Sequence, residues 1–434
     1  MSFWTRFKLE TKDHIRHSRT LRRYLSYVSE WRANRGTEPQ EMARAIIRLC
    51  QAARLAGSDR RMIQVEQRIR KRAAEIQRQD WPKKLNWGEF AGQMKRDRIE
   101  AGVVLKRYLG PRERGVVFIS FEYQWVRLAQ LPNLKEFAER YILVLAPSWS
   151  PPHCLETTLF PALYPDRLLS TISNEEDLRI LPRLSSNLSA APLLASHWVQ
   201  PELYKPVPFS EKDIDLVMVA NFSVYKRHFA LFRALRDMPG SVRVVLVGRP
   251  LAGRTTETLL QEAAAFGVAG RFELMVNVSD EALGTTLARS KVSVILSRQE
   301  GSCVAVAESI LADTPVGLYA DARVGSRMFI NASTGRLFQH HNLGAQLMDF
   351  IANAAGYAPR RWALKNGLTC FDSTKVLNVA LKREALAAGE EWTEDIAAHH
   401  WRPNPVLVWP EDQQRLQPEF DEFERRFGFA LGTK

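Results

Sequence analysis

Apolar positions in the first 110 residues recur at three- and four-residue steps. Ile15, Leu21, Tyr24, Leu25, Val28 and Trp31 form one run. Met42, Ala45, Ile46, Leu49 and Ala53 form a second, and Met62, Val65, Ile69, Ala73 and Ile76 a third. That period is helical. Turn signals at Arg35-Gly36, Ala56-Gly57-Ser58 and Trp81-Pro82 separate the runs. The pattern predicts a basic α-helical region over residues 1–110. From Gly115 the period shortens. Val116–Ser120, Tyr141–Ala146, Leu168–Ser173 and Pro192–Ser196 read as short strands, with helices over Asn133–Arg140 and Asn174–Leu184. We read residues 111–207 as a short βαβ domain, closed by a linker in which three prolines fall between Pro201 and Pro208.

The second half alternates more strictly. Strands are predicted at Ile214–Ala220, Val242–Val247, Phe272–Val276, Val292–Leu296 and Pro315–Tyr319. Helices are predicted at Arg227–Leu235, Thr255–Phe266, Asp280–Arg289 and Cys303–Leu311. Continuous apolar, β-branched strands separated by helices imply a parallel, doubly wound sheet over residues 208–360. Such sheets bind ligands at the carboxyl ends of their strands, near helix N-termini. Residues 361–434 read as a helical tail.

With 434 residues and a 45% apolar share, the chain is long enough for two or three folded domains. No run approaches the ~20 apolar residues of a membrane span. The start carries no secretory-signal pattern. Cys50, Cys154, Cys303 and Cys370 lack disulfide or zinc spacing, and a cytoplasmic protein is expected. The net charge of +13 is unevenly placed. Residues 1–110 hold 26 Lys and Arg against 12 Asp and Glu, whereas the remainder holds 35 against 36. Such a basic leader points to anionic partners. Phe3, Trp4 and Phe7 beside Arg6 and Lys8 suit an anionic membrane surface, giving a peripheral location at the inner face. Nucleic-acid binding by the same helices is the alternative, but no recognition motif accompanies the charge.

The sharpest chemical segment runs from Ser297 to Glu308. A predicted strand leads into a polar loop, then Gly301, then a helix whose first-turn amides, near Ser302 to Val304, favour an anion. Gly301 tolerates positive φ and close ligand approach. Glu300 and Glu308 bracket that helix start, and carboxylates grip sugar hydroxyls by accepting their hydrogen bonds. Two carboxylates could also serve a glycosidase.

This stretch resembles the signature of family-4 retaining glycosyltransferases (glycosyl transferases group 1) of the GT-B fold. In that signature two Glu are separated by seven residues, with glycine after the first, as in Glu300, Gly301 and Glu308. Ala312-Asp313-Thr314-Pro315-Val316, Val278-Ser279-Asp280-Glu281-Ala282-Leu283 and Val219–Lys226 are similar to further family motifs, so the likeness spans residues 211–340. The resemblance implies an α/β protein with two Rossmann-like domains facing across a cleft, here preceded by the basic helical region. It implies a hexosyl-type transfer from a UDP- or GDP-linked sugar to an acceptor hydroxyl, with retention of configuration, no catalytic metal and no other cofactor. The departing phosphate would help take the acceptor proton. An acceptor carried on lipid, in polysaccharide or glycolipid assembly, suits the basic leader.

The resemblance also implies roles for individual positions. Glu300 would hold donor-sugar hydroxyls, with amides of Gly301, Ser302, Cys303 and Val304 near the sugar and diphosphate. Lys226 would contact the diphosphate and Glu308 the ribose, while the backbone at Asn277 and Val278 would face the base. His153 is the catalytic candidate of the first domain, with His197 the alternative. Asn221 stands where the family usually has arginine, and Arg227 where it usually has glycine. Arg227 or Arg298 could supply the missing charge to the diphosphate. Failing both, a non-catalytic scaffold that binds nucleotide sugar is expected.

Overall fold

The computed structural model describes residues 2–33, 36–78, 85–86, 89, 97–149, 154–401 and 404–432. The chain begins with helices α1 (Ser2–His17), α2 (Arg19–Arg32), α3 (Pro39–Arg54) and α4 (Asp59–Gln77). The expected turn at Trp81-Pro82 lies outside the described residues. Helix α4 starts at Ser58, whose hydroxyl accepts from the Arg61 amide. The second and third apolar runs are buried as predicted, through Met42, Ile46, Leu49, Val65, Ile69 and Ile76. The first run is not. Ile15, Tyr24, Leu25 and Trp31 are exposed, and α2 buries Ser26 and Glu30 instead. The reason is polar: Ser26 donates to the Ala52 carbonyl at 2.8 Å, and Glu30 pairs with Arg61 and Arg68.

Next come β1 (Arg98–Ile99), β2 (Gly102–Lys106), β3 (Gly115–Ser120), α5 (Glu122–Ala129), α6 (Leu134–Arg140) and β4 (Tyr141–Ala146). They are followed by α7 (Glu156–Leu163), β5 (Leu168–Ser170), α8 (Asp177–Leu184) and β6 (Leu188–Ala190). Strands β2 to β6 form a five-stranded sheet in chain order, parallel except for β2. Strand β2 corrects the helical reading of residues 98–110; a five-residue apolar run is too short for its period to be read. The strand expected at Pro192–Ser196 is also absent. The last strand is β6, and proline has no N–H to give a ladder.

The second sheet is built from β7 (Ile214–Val219), α9 (His228–Leu235), β8 (Val244–Gly248), α10 (Thr256–Ala265), β9 (Glu273–Val276) and α11 (Asp280–Ala288). It continues through β10 (Ser290–Ile295), α12 (Val304–Leu311), β11 (Val316–Tyr319) and β12 (Gly335–Phe338). All six strands are parallel, in the order β12-β11-β10-β7-β8-β9. This is the doubly wound order in which the chain reverses direction between two central strands, here β7 and β10. Gly248 ends β8 where a Cβ would stand 2.1 Å from the Ala220 carbonyl oxygen, so only glycine lets these strand ends approach.

The remainder is α13 (Leu343–Ala352), α14 (Pro359–Lys365), α15 (Cys370–Ala387), the antiparallel pair β13 (His399–Trp401) and β14 (Pro405–Leu407), α16 (Pro410–Phe427) and β15 (Ala430–Leu431). The tail is therefore not purely helical, and β15 pairs with β1. Two compact units result: residues 1–14 with 196–372, and residues 15–195 with 373–434. The expected boundaries near 110, 207 and 360 follow sequence segments, whereas packing sends each end of the chain to a distant partner. In the second unit Phe423 and Phe427 of α16 pack their rings edge-on or tilted against Phe137 and Tyr141. Among the described residues no helix is long and apolar enough to cross a membrane.

Candidate functional site

Where a doubly wound sheet reverses, the loops leaving the two central strands part and open a crevice beyond their carboxyl ends. The loop after β7 carries Asn221 to Lys226, and the loop after β10 carries Ser297 to Cys303. Local chemistry fixes both. The Asn221 side chain accepts from the Ser223 amide at 3.0 Å, turning the chain so that Phe222 is buried. Arg227 then adopts a left-handed conformation (φ 60°, ψ 42°), costly for a residue with a Cβ. Its guanidinium holds it there. Nε and Nη2 both reach the Asp13 carboxylate at 2.9 Å, and Nη1 donates to the Leu296 carbonyl at 3.1 Å.

The second loop is laid against residues 323–326. Glu300 donates to the Arg323 carbonyl at 2.9 Å, Gly325 to Gly301 at 2.8 Å and Ser326 to Ser302 at 3.0 Å. Ser302 is gripped further by Ser196, whose amide donates to its Oγ at 2.8 Å. The turn into α12 is made by Cys303, the left-handed residue (φ 59°), rather than by Gly301 as the sequence led us to expect. Cys303 gives α12 no side-chain cap. The amides of Val304 and Ala305 therefore keep the outward donor character of a first helical turn.

These two loops bring Lys226 and Glu300 together. Lys226 Nζ lies 2.6 Å from Glu300 Oε2, and their side chains are only 12% and 7% exposed. Burial works against the ammonium, but the Glu300 carboxylate outweighs it and the Lys226 pKa stands above its ordinary value. The other carboxylate oxygen, Oε1, is buried without a hydrogen-bond partner. A buried carboxylate oxygen with an open acceptor position is expensive, and a ligand hydroxyl would satisfy it. Cys303 lies in the same field. Burial, then the Glu300 charge, pushes its thiol well above 9.0, which disfavours the thiolate.

Glu308 sits about two turns into α12, where Tyr204 donates its hydroxyl to Oε1 at 2.8 Å. Burial pushes this carboxyl up to about 7, against the Tyr204 hydrogen bond and with repulsion from Asp280. Asn277 ends β9 in a left-handed conformation (φ 54°), exposed, its amide bonded to the Gly248 carbonyl at 3.0 Å. Val278 beside it is half-buried.

Other expectations need correction or stand apart. The Arg227 guanidinium is held by Asp13 and the Leu296 carbonyl. Arg298 pairs with Asp321 at 2.6 Å. Asn221 spends its side-chain oxygen on its own turn. His153 lies outside the described residues. His197 packs edge-on against Phe329, with ring centroids 5.1 Å apart. Among the described residues no group of three His, Cys, Asp or Glu side chains could hold a metal ion.

Sequence reading missed Asp13, Ser196, Tyr204 and His228. The first three act through contacts about a hundred residues or more away, which no local pattern signals. His228 is buried, and its pKa is depressed to about 3 by burial first and then by Arg254 and Lys226, so the ring is neutral.

Residues 199–356 match the family model described as glycosyl transferases group 1. No match was found among curated proteins. Among solved structures, sucrose-phosphate synthase from Thermosynechococcus elongatus is 15% identical (TM-score 0.49), covering 63% of this chain and 74% of its own. HepE from Anabaena, in complex with UDP and glucose, is 16% identical (TM-score 0.48), covering 62% and 78%. An α,α-trehalose-phosphate synthase (UDP-forming) from Burkholderia vietnamiensis is 12% identical (TM-score 0.47), covering 84% and 85%.

Proposed function

Starting from a chain whose residues 199–356 are matched by the glycosyl transferases group 1 family, we propose that this protein transfers a hexose-type sugar from a UDP- or GDP-linked donor to an acceptor hydroxyl with retention of configuration. One observation carries the reading: the buried Lys226–Glu300 pair at the mouth of α12, with Glu300 Oε1 still lacking a partner. A donor diphosphate placed there meets the Lys226 ammonium and the α12 amides, which stabilise the charge that builds on the leaving group. Donor-sugar hydroxyls donate to Glu300 Oε1. The ribose hydroxyls donate to Glu308, and the base lies toward Asn277 and Val278. The amides of Gly301, Ser302, Cys303 and Val304 face the sugar and diphosphate. His153, outside the described residues, is kept as the catalytic candidate of residues 111–207. No metal is assigned, and the departing phosphate takes the acceptor proton. The acceptor belongs to polysaccharide or glycolipid assembly.

The test is a panel of UDP- and GDP-sugars. Thermal stabilisation by one nucleotide series, slow donor hydrolysis and an α-configured product from an α-configured donor are expected; saturation at a hundred times Kd stabilises by about 2.7 kcal/mol. No thermal shift with any nucleotide would sink the reading. Glu300→Gln should keep nucleotide binding and lose turnover.

A second reading has its own observation. Asn221 and Arg227 are both spent on the fold, so the diphosphate meets one lysine rather than a lysine and an arginine. A scaffold that binds nucleotide sugar without turnover is then expected. Binding without donor loss, for every acceptor tried, would select it.

A further inference from the structure

Helix α1 sorts its charges. In a helix of 3.6 residues per turn, positions 6, 9, 10 and 13 face away from positions 4, 7, 8 and 11, with 12 at their flank. The first set faces the body of the unit formed with residues 196–372. Leu9 is buried, Arg6 lies over the Phe266 ring at 5.4 Å, Glu10 is 3.7 Å from Arg233, and Asp13 clamps Arg227. Arg6, grouped with the lipid-facing residues on sequence grounds, is thus turned inward. Glu10 and Asp13 are the only acids of α1, and both sit on this face with arginine partners.

The opposite face holds Trp4, 70% exposed, and Phe7, 51% exposed, their rings packed edge to face at 6.0 Å. Lys8 and Lys12 flank them, both exposed, and with Thr11 these side chains line a shallow depression. The outward face therefore combines two large aromatics with two cations and no acid. A water-soluble surface gains nothing from an exposed indole and phenyl side by side. An indole with an adjacent ammonium matches a bilayer interface, where the ring lies at the headgroup level and the cation meets phosphate.

We propose that this face of α1 docks on an anionic lipid surface, with Trp4 and Phe7 entering the headgroup region and Lys8 and Lys12 meeting lipid phosphates. The inward face keeps the helix seated while the outward face binds. Because Asp13 holds Arg227, the residue after Lys226, the docked helix is tied to the loop that carries the site lysine. The proposal does not depend on the sugar-transfer reading.

The experiment is co-sedimentation of the full-length protein with phosphatidylcholine vesicles, with and without phosphatidylglycerol. Binding is expected only to the anionic vesicles, weakening with salt. Lys8→Glu combined with Lys12→Glu should lower partitioning roughly tenfold or more. Trp4→Ala combined with Phe7→Ala should lower it comparably, while an unchanged thermal midpoint shows that either variant still folds. Because none of these residues belongs to the nucleotide site, nucleotide-induced stabilisation should survive in both. Equal vesicle binding by wild type and both variants overturns the proposal. So does vesicle-independent loss of a dimer on Trp4 and Phe7 replacement, or a preference for RNA or DNA over anionic vesicles that the same variants abolish.

Discussion

Replacing Lys226 by Met tests whether the site pair is a single electrostatic unit. In the native protein the ammonium and the Glu300 carboxylate are 2.6 Å apart, with side chains 12% and 7% exposed. Removing one partner leaves the other charge buried and uncompensated, which costs about 3–5 kcal/mol. The unit formed with residues 196–372 is of a size for which 1 kcal/mol moves the thermal midpoint by about 2–4 °C. A fall of roughly 6–20 °C is therefore expected for Lys226→Met. Adding Glu300→Gln removes the orphaned charge and should recover about 2 kcal/mol or more, because residues within one ion pair are coupled by about 0.5–3 kcal/mol. Urea unfolding of wild type, both single variants and the double variant closes the cycle. The coupling should persist at high salt, since a buried pair is weakly screened. Strict additivity, or a double variant less stable than Lys226→Met, would refute the reasoning.

Further predictions follow from other contacts. Arg227→Ala and Asp13→Ala should each cost about 3–5 kcal/mol in urea unfolding, and the double variant little more than either, because the two side chains share one buried bond set. Between the ordinary value of 4.5 and about 7, the folded state holds a proton on Glu308 that the unfolded state lacks. Stability from this group thus falls as pH rises through that window, and Glu308→Gln should flatten the slope. On the proposed assignment of Glu308 to the ribose, the ionised carboxylate is the form that binds, so nucleotide binding should weaken as pH falls below about 7 and should release a proton, visible in calorimetry across buffers of different ionisation enthalpy. Gly248→Ala places a methyl 2.1 Å from the Ala220 carbonyl oxygen and should destabilise by about 1–3 kcal/mol in thermal unfolding. Cys303 should alkylate far more slowly than free cysteine at pH 8, because burial disfavours its thiolate.

Parallel strands in both sheets were legible because buried ones read as unbroken apolar runs. Tyr141–Ala146 was placed to the residue, and Ile214–Val219 and Val316–Tyr319 to within one or two residues. Short strands such as β2, β13 and β14 carry too few residues for a period to show, and they were absorbed into helical regions. The exposed Tyr24 and Trp31 misled for another reason: α2 is seated by Glu30 and Arg61, a polar contact that apolar spacing cannot register. In the site, Lys226 and Glu300 could be paired only through a family motif, since they are far apart in sequence. The same distance hid the fate of Arg227. Its charge invites a phosphate assignment, and the Asp13 that holds it lies more than two hundred residues upstream.

Neither compact unit is a continuous stretch of chain. Residues 1–14 leave the ribosome long before the residues they pack against exist, and the body made from 15–195 lacks strand β15 until residues 430–431 are made. Folding therefore cannot run from head to tail, one finished half at a time. Until α16 emerges, the nascent chain carries an unsheltered aromatic face at Phe137 and Tyr141, for which a holding chaperone would compete with that helix.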